Sequence, residues 1–298
     1  MPIFSGQSVA WIVVLSVFGL AASVFAVVAA TIIARGPEPQ GQKQQAAPAP
    51  PPAPSKSDDM RRETAKPSEL PRPPEFPPDE HPALTQARRQ MIELDLRGRD
   101  IVDERVLSVM ARIPRHRFVP EALRDLAYSD RALPIGHGQT ISQPYIVALM
   151  TQLVRPGPQS RALDVGTGSG YQAAVLAELC KEVYSIEILE PLAEEARQRL
   201  ESLGYKNITV RCGDGYKGWP EKAPFDVIVV AAAPDHVPQP LVDQLAIGGR
   251  MVIPVGQMYY QTLMLIEKQA DGSVVRRPVE AVRFVPMTGE AQQKAADQ

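Results

Sequence analysis

The segment 164–170 reads DVGTGSG and carries the strongest chemical signal in the chain. Glycines at 166, 168 and 170 let the backbone enter positive-φ turns and pass close to a ligand. Their G-x-G-x-G spacing differs from the G-x-G-x-x-G of dinucleotide-binding loops. Asp164 stands two positions before the first glycine. A carboxylate there is unfavourable beside a pyrophosphate, which needs the amides of a helix start, but it suits a cationic ligand. Glu187 follows 23 residues after Asp164, at the end of the next strand-like stretch. There it can accept hydrogen bonds from the hydroxyls of a ribose; a solvated strand-end charge is the bland alternative. Asp214, in the GDG of 213–215 with Gly215, ends a third strand-like stretch and is a candidate base contact, in competition with a simple Asp-Gly turn. Three acids after three successive strands converge on one sheet edge.

This loop and its acid resemble motif I of the S-adenosylmethionine-dependent methyltransferases. Before the first strand lies LPIGHGQTISQPYIVALMTQL, residues 133–153. That stretch is similar to the signature of the protein-L-isoaspartate O-methyltransferases. The likeness continues through PRHRFVPE (114–121), GTGSGYQAAVLA (166–177), GDGYKGWPEKAPFD (213–226), AAAPDHVPQPLVDQL (231–245), GGRMVIPVG (248–256) and FVPMTG (284–289), covering residues 84–289. The resemblance implies a Rossmann-like methyltransferase fold with S-adenosyl-L-methionine as methyl donor. Asp164, Gly166, Gly168, Gly170, Glu187, Asp214 and Gly215 would hold that donor, Thr140 and Ile141 would line its pocket, and Thr288 would close it. The acceptor implied is the free α-carboxyl of L-isoaspartyl residues in damaged proteins, whose methyl ester closes to a succinimide and reopens partly to aspartate. Such a carboxyl, with a pKa of about 3.3–3.9, is ionised at neutral pH and needs no general base. Ser142 takes the active-site role in this resemblance. From local sequence alone, Ser-Gln-Pro at a helix start reads as an N-cap.

Other classes fit less well. A nicotinamide-dependent dehydrogenase would need the other glycine spacing. A methyltransferase of the same fold acting on a small molecule is the alternative, and an inactive binding module would not need an intact loop. A net charge of -2 lacks the basic footprint of nucleic-acid binding. The two cysteines, Cys180 and Cys212, read as buried small hydrophobes. The four histidines are scattered and no CxxC or HExxH pattern occurs, so no metal is expected. His137 occupies a variable position and receives no role; Tyr171 and Trp219 read as packing.

The elements that must position these residues follow from hydrophobic periodicity. Helices are predicted over 84–96, 101–112, 145–154, 171–180, 190–203 and 238–246. Strands are predicted over 161–165, 182–188, 208–212, 225–232, 250–255, 260–268 and 274–286. Their alternation implies an α/β, doubly wound, mostly parallel sheet with helices on both faces and further helices at its N-terminal end. Residues 290–298 read as a frayed tail. Preceding this domain, which spans 81–289, residues 36–80 form a proline-rich spacer: 14 of the 30 prolines lie between Gly36 and Pro82. Residues 2–34 carry no charged side chain. As a helix, the apolar run from Val9 to Ala34 would reach about 39 Å, enough to span a membrane. Residues 1–35 are therefore expected to be an uncleaved anchor in the inner or plasma membrane. Basic residues only after the run place the enzyme domain in the cytoplasm.

Overall fold

The computed structural model of the chain describes residues 81–257 and 260–291. The expected anchor over 1–35, the spacer over 36–80 and most of the tail lie outside the described residues. Among those described, no helix is long and apolar enough to cross a membrane.

The N-terminal helices come first. α1 (Pro82–Gln90) runs into a wider turn over Met91–Arg97, and α2 (Glu104–Arg112) follows. Asp103 caps α2 by accepting the Arg105 N–H at 3.0 Å. Ile101, Val106, Val109 and Met110 share the buried face that their spacing predicts. A short hairpin, β1 (Leu133–Gly136) and β2 (Gln139–Ile141), then leads into α3 (Pro144–Val154). It was not predicted: its strands have four and three residues, too short for a period. Gly136, His137 and Gly138, all at positive φ, make its turn.

The main sheet is built from β3 (Arg161–Val165), β4 (Glu182–Glu187), β5 (Ile208–Cys212), β6 (Phe225–Val230), β7 (Leu245–Gln257), β8 (Tyr260–Lys268) and β9 (Val274–Val282). Its order is β5-β4-β3-β6-β7-β8-β9. The first five of these strands pair in parallel, and β8 and β9 close the sheet antiparallel. α4 (Tyr171–Ala177), α5 (Glu190–Ser202) and α6 (Gln239–Asp243) provide the crossovers. This is the expected doubly wound class. Strand alternation divides the core in two. Ala162, Val183, Val227 and Val252 face the N-terminal helices, α3 and α4, while Leu163, Tyr184, Ile228 and Met251 face Trp219 and α6. Trp219 packs edge-on against Tyr184, as predicted.

The chain leaves β3 toward β4 on one side and returns through β6 on the other. The strand order therefore reverses between β3 and β6, and a crevice opens at their C-terminal ends. Two local predictions differ. Cys180 is buried, with its thiol pushed up to about 12 by desolvation, but Cys212 is exposed at the end of β5. The body also continues past 289, because Ala291 is buried and the Glu290 N–H is bound.

Candidate active site

At the crevice, the glycine loop turns the chain from β3 into α4. Gly166, Gly168 and Gly170 have φ of 91°, 53° and 88°, conformations open to glycine at no steric cost. The Gly166 and Thr167 N–H groups both donate to the Ile186 carbonyl, at 2.8 and 3.1 Å. Glu187 then fixes the next step: its Oε2 accepts the Gly168 N–H at 2.9 Å and its Oε1 accepts the Leu189 N–H at 3.1 Å. The end of β4 thus sets the shape of the loop after β3.

Asp164 lies beneath this loop and is wholly buried. Ser185 Oγ donates to its Oδ2 at 2.7 Å and sits 2.6 Å from the Thr167 hydroxyl, which ties the loop to β4. Asp164 Oδ1 is buried without a hydrogen-bond partner. Desolvation pushes the carboxyl up to about 7, Ser185 opposes this, and the neighbouring Glu187 charge adds to it.

Two cavities meet here. The first, about 900 Å³ including its open mouth, is lined by the loop from Gly166 to Ser169, by Ile186–Ile188 and Gly215, by Thr140, Ile141 and Ser142, and by Met287 and Thr288. The second, about 1340 Å³ on the same measure, is a groove lined by Arg99, Tyr145, Ile146, Tyr260, Glu280, Arg283 and Phe284 among others. Thr140, Ser142, Ala231 and Val285 line both.

Of the residues predicted from sequence, Thr140, Ile141, Ser142, Gly166, Gly168, Glu187, Gly215 and Thr288 come together on the first cavity. Asp164, Gly170 and Asp214 stand behind its wall. Gly170 starts α4, where an added Cβ would lie 3.1 Å from Leu200 Cδ1. Asp214 precedes the lining residue Gly215, and its carboxylate is engaged by backbone. Its Oδ1 accepts the Tyr216 N–H and its Oδ2 the Glu290 N–H, both at 2.9 Å, so it caps its own turn and straps down the C-terminal segment. A Cβ on Gly289 would come within 2.8 Å of that carboxylate. The Asp-Gly turn expected from sequence is thus formed.

Ser142 differs from its local reading too. Gln143, not Ser142, is the N-cap of α3, and it makes no side-chain cap bond. The first turn is held instead by Asp130, whose Oδ1 accepts the Tyr145 N–H at 2.9 Å. Ser142 is freed from capping and faces the junction of the two cavities. Its carbonyl accepts Arg115 Nη2 at 2.7 Å. Tyr171, read as packing, also lines the first cavity. His137 lies 3.1 Å from Glu195 on the outside of the hairpin. Sequence reasoning missed Ala231 and Ala232; the rule that singled out Glu187, a position just past a strand end, would have found them after β6. Among the described residues no group of three or more His, Cys, Asp or Glu side chains is placed to hold a metal ion.

A family model described as protein-L-isoaspartate(D-aspartate) O-methyltransferase matches residues 86–292. The chain belongs to this family. Among similar members, the protein-L-isoaspartate O-methyltransferase 2 of Polaromonas sp. (strain JS666) is 60% identical over 194 residues, which is 65% of this chain and 92% of that protein. The protein-L-isoaspartate O-methyltransferase of Synechococcus sp. (strain JA-2-3B'a(2-13)) is 52% identical over 234 residues, 76% of this chain and 96% of that one. A solved protein-L-isoaspartate O-methyltransferase superposes with a TM-score of 0.62 at 30% identity, covering 68% of this chain and 67% of that one. A Plasmodium falciparum structure described as a protein-L-isoaspartate O-methyltransferase in complex with S-adenosyl-L-homocysteine gives 0.58 at 28% identity, over 67% and 98%.

Proposed function

We infer that the chain transfers a methyl group from S-adenosylmethionine to the free α-carboxyl of L-isoaspartyl residues in damaged proteins. The observation that carries this reading is the junction at Thr140, Ser142, Ala231 and Val285, where a glycine-lined cavity with a strand-end carboxylate meets a second groove of about 1340 Å³. Family membership supports the isoaspartyl acceptor over a small-molecule one.

The residues fit the donor. Gly166 and Gly168 bring bare backbone to the cavity, and Glu187 keeps lone pairs beyond its two N–H bonds for ribose hydroxyls. Thr140, Ile141, Gly215 and Thr288 complete the wall. Asp164, Gly170 and Asp214 act from behind it, by shaping the loop and holding the C-terminal segment. S-adenosylmethionine supplies the methyl group on a sulfonium. The protein aligns the acceptor and excludes water. Ser142 presents a hydroxyl that orients the acceptor carboxylate. One carboxylate oxygen forms the new bond to the methyl carbon as the carbon–sulfur bond breaks, and no proton moves. The ester then closes to a succinimide, which reopens partly to aspartate.

A paired-peptide assay tests this. Base-labile label from radiolabelled donor should appear on an isoaspartyl peptide and not on its aspartyl twin. Equal labelling of both, or of neither, contradicts the reading. Ser142→Ala should lower turnover at least tenfold; unchanged turnover would remove its orienting role.

The same chain is proposed to be tethered, with the spacer holding the enzyme on the cytoplasmic side. The charge-free run of 2–34 and the basic residues that follow it support this. The full chain should sediment with membranes, and removal of residues 1–80 should release a soluble, active enzyme. A full chain that stays in the soluble fraction refutes the tether.

A further inference from the structure

Arg115 is a buried charge to which no carboxylate among the described residues is bonded. It follows Pro114 in a single 3-10 turn, Arg115–Phe118, and has no exposed surface. Nε donates to the Ala127 carbonyl at 2.7 Å, Nη2 donates to the Ser142 carbonyl at 2.7 Å, and the guanidinium lies 4.8 Å from the Tyr171 ring centre. Nη1 and the Tyr171 hydroxyl are both buried without a hydrogen bond of normal length, and the Tyr171 side chain is the polar neighbour that favours the charge of Arg115. Among the described residues no carboxylate forms an ion pair with Arg115. Asp130 is the acid whose charge reaches it, but that carboxylate is engaged by the Tyr145 N–H at 2.9 Å, Arg99 at 3.3 Å and Gln143 Nε2 at 3.4 Å.

A buried guanidinium without an anion is costly, and two carbonyls compensate it only in part. An apolar residue would fill this space at less cost if packing were the only need. What Arg115 touches points to the need. It holds the backbone of Ser142, at the junction of the two cavities, and it lies behind Tyr171, which lines the first.

We propose that Arg115 is a positioning residue for the acceptor carboxylate. It fixes the Ser142 backbone through the carbonyl, and its uncompensated charge favours an anion at that point of the groove. The role rests on the proposed isoaspartyl acceptor. A lysine could keep the charge but has one donor head, so it could not hold Ala127 and Ser142 together while lying on the ring.

The test uses the full chain saturated with S-adenosylhomocysteine and two peptides, one isoaspartyl and one with that α-carboxyl replaced by a carboxamide. Binding of each is measured by fluorescence anisotropy for wild type, Arg115→Lys and Arg115→Met. Arg115→Met should lower the preference for carboxylate over carboxamide about tenfold, with S-adenosylhomocysteine affinity within about twofold of wild type. Arg115→Lys should keep the preference within about twofold while kcat/KM falls about tenfold. If Arg115→Met does not fold, Arg115→Lys decides alone. Parallel loss of both peptides in Arg115→Lys, or an unchanged preference in a folded Arg115→Met, overturns the proposal in favour of a structural arginine. A wild-type protein that binds isoaspartyl and aspartyl peptides equally overturns the acceptor assignment, and this role with it.

Discussion

Asp164→Asn tests whether the acid under the glycine loop is buried at the expense of its charge. The carboxyl goes from 3.8 in a free chain to about 7 in the fold. Between those values the folded state holds a proton that the unfolded state has released, so stability falls as pH rises. The slope approaches 1.4 kcal/mol per pH unit, and across the window the loss amounts to about 4 kcal/mol, on the order of 10 °C in melting temperature. Above about pH 7 both states are ionised and the contribution is flat. Asparagine keeps the acceptor for Ser185 and carries no titrating proton. The melting temperature of wild type minus that of Asp164→Asn should therefore decline from pH 4 to pH 7 and then level off, whatever the other groups do. A difference that is flat with pH, or rises with it, refutes the reasoning. Glu187 contributes to the upward shift, so in a Glu187→Gln background the declining window should move to lower pH.

Two further perturbations read the loop and the strap. Glu187→Gln leaves one oxygen where two accept backbone N–H groups, and a hydrogen bond to a charged group contributes about 1.5–3 kcal/mol. Calorimetric titration with S-adenosylhomocysteine should show at least a tenfold loss of affinity, and unchanged affinity would remove Glu187 from the site. Asp214→Ala frees the Tyr216 and Glu290 N–H groups, with an expected cost of about 1–3 kcal/mol. Amide exchange at Glu290 should accelerate strongly in that variant; protection equal to wild type would mean that the C-terminal segment is held by something else.

What could be read from sequence follows the range of the interactions. β3 falls where its pattern places it because a strand buried on both faces declares itself as a short apolar run, while the edge strand β5, with only Val210 buried, is marked by alternation. Glu187 was legible because the end of a central strand in such a sheet is a ligand position wherever it occurs. The cap of α3 was not. Ser-Gln-Pro is locally sufficient for a cap, and nothing in it indicates that Asp130 already binds the first turn. Asp214 was half legible: its Asp-Gly pair announced a turn, but the bond to the Glu290 N–H depends on a segment 76 residues away. Arg115 ran against the usual rule that a lone arginine lies at the surface. Its burial is set by Ala127, Ser142 and Tyr171 together, and no local pattern encodes that combination.

The placement of these charges has a chemical reason. A positive sulfonium and a negative carboxylate neutralise one another as the methyl group passes between them, so the transition state is less charged than either partner. A guanidinium in contact with the acceptor oxygen would stabilise the carboxylate more than the forming ester and would raise the barrier. A carboxylate against the sulfonium would do the same to the donor. The junction is instead built from Ala231 and Val285 with Thr140 and Ser142, and Ile141, Val147 and Met150 add apolar wall to the first cavity. Asp164 sits beneath the loop and Arg115 behind Ser142, each separated from the cavity by a residue that lines it. Among the described residues Glu187 is the one carboxylate on the wall of the first cavity, and its proposed partner is the ribose, away from the reacting atoms. With Arg115 set back and Asp164 holding its proton up to about pH 7, the proposed arrangement lets the atoms that exchange the methyl group meet among neutral groups.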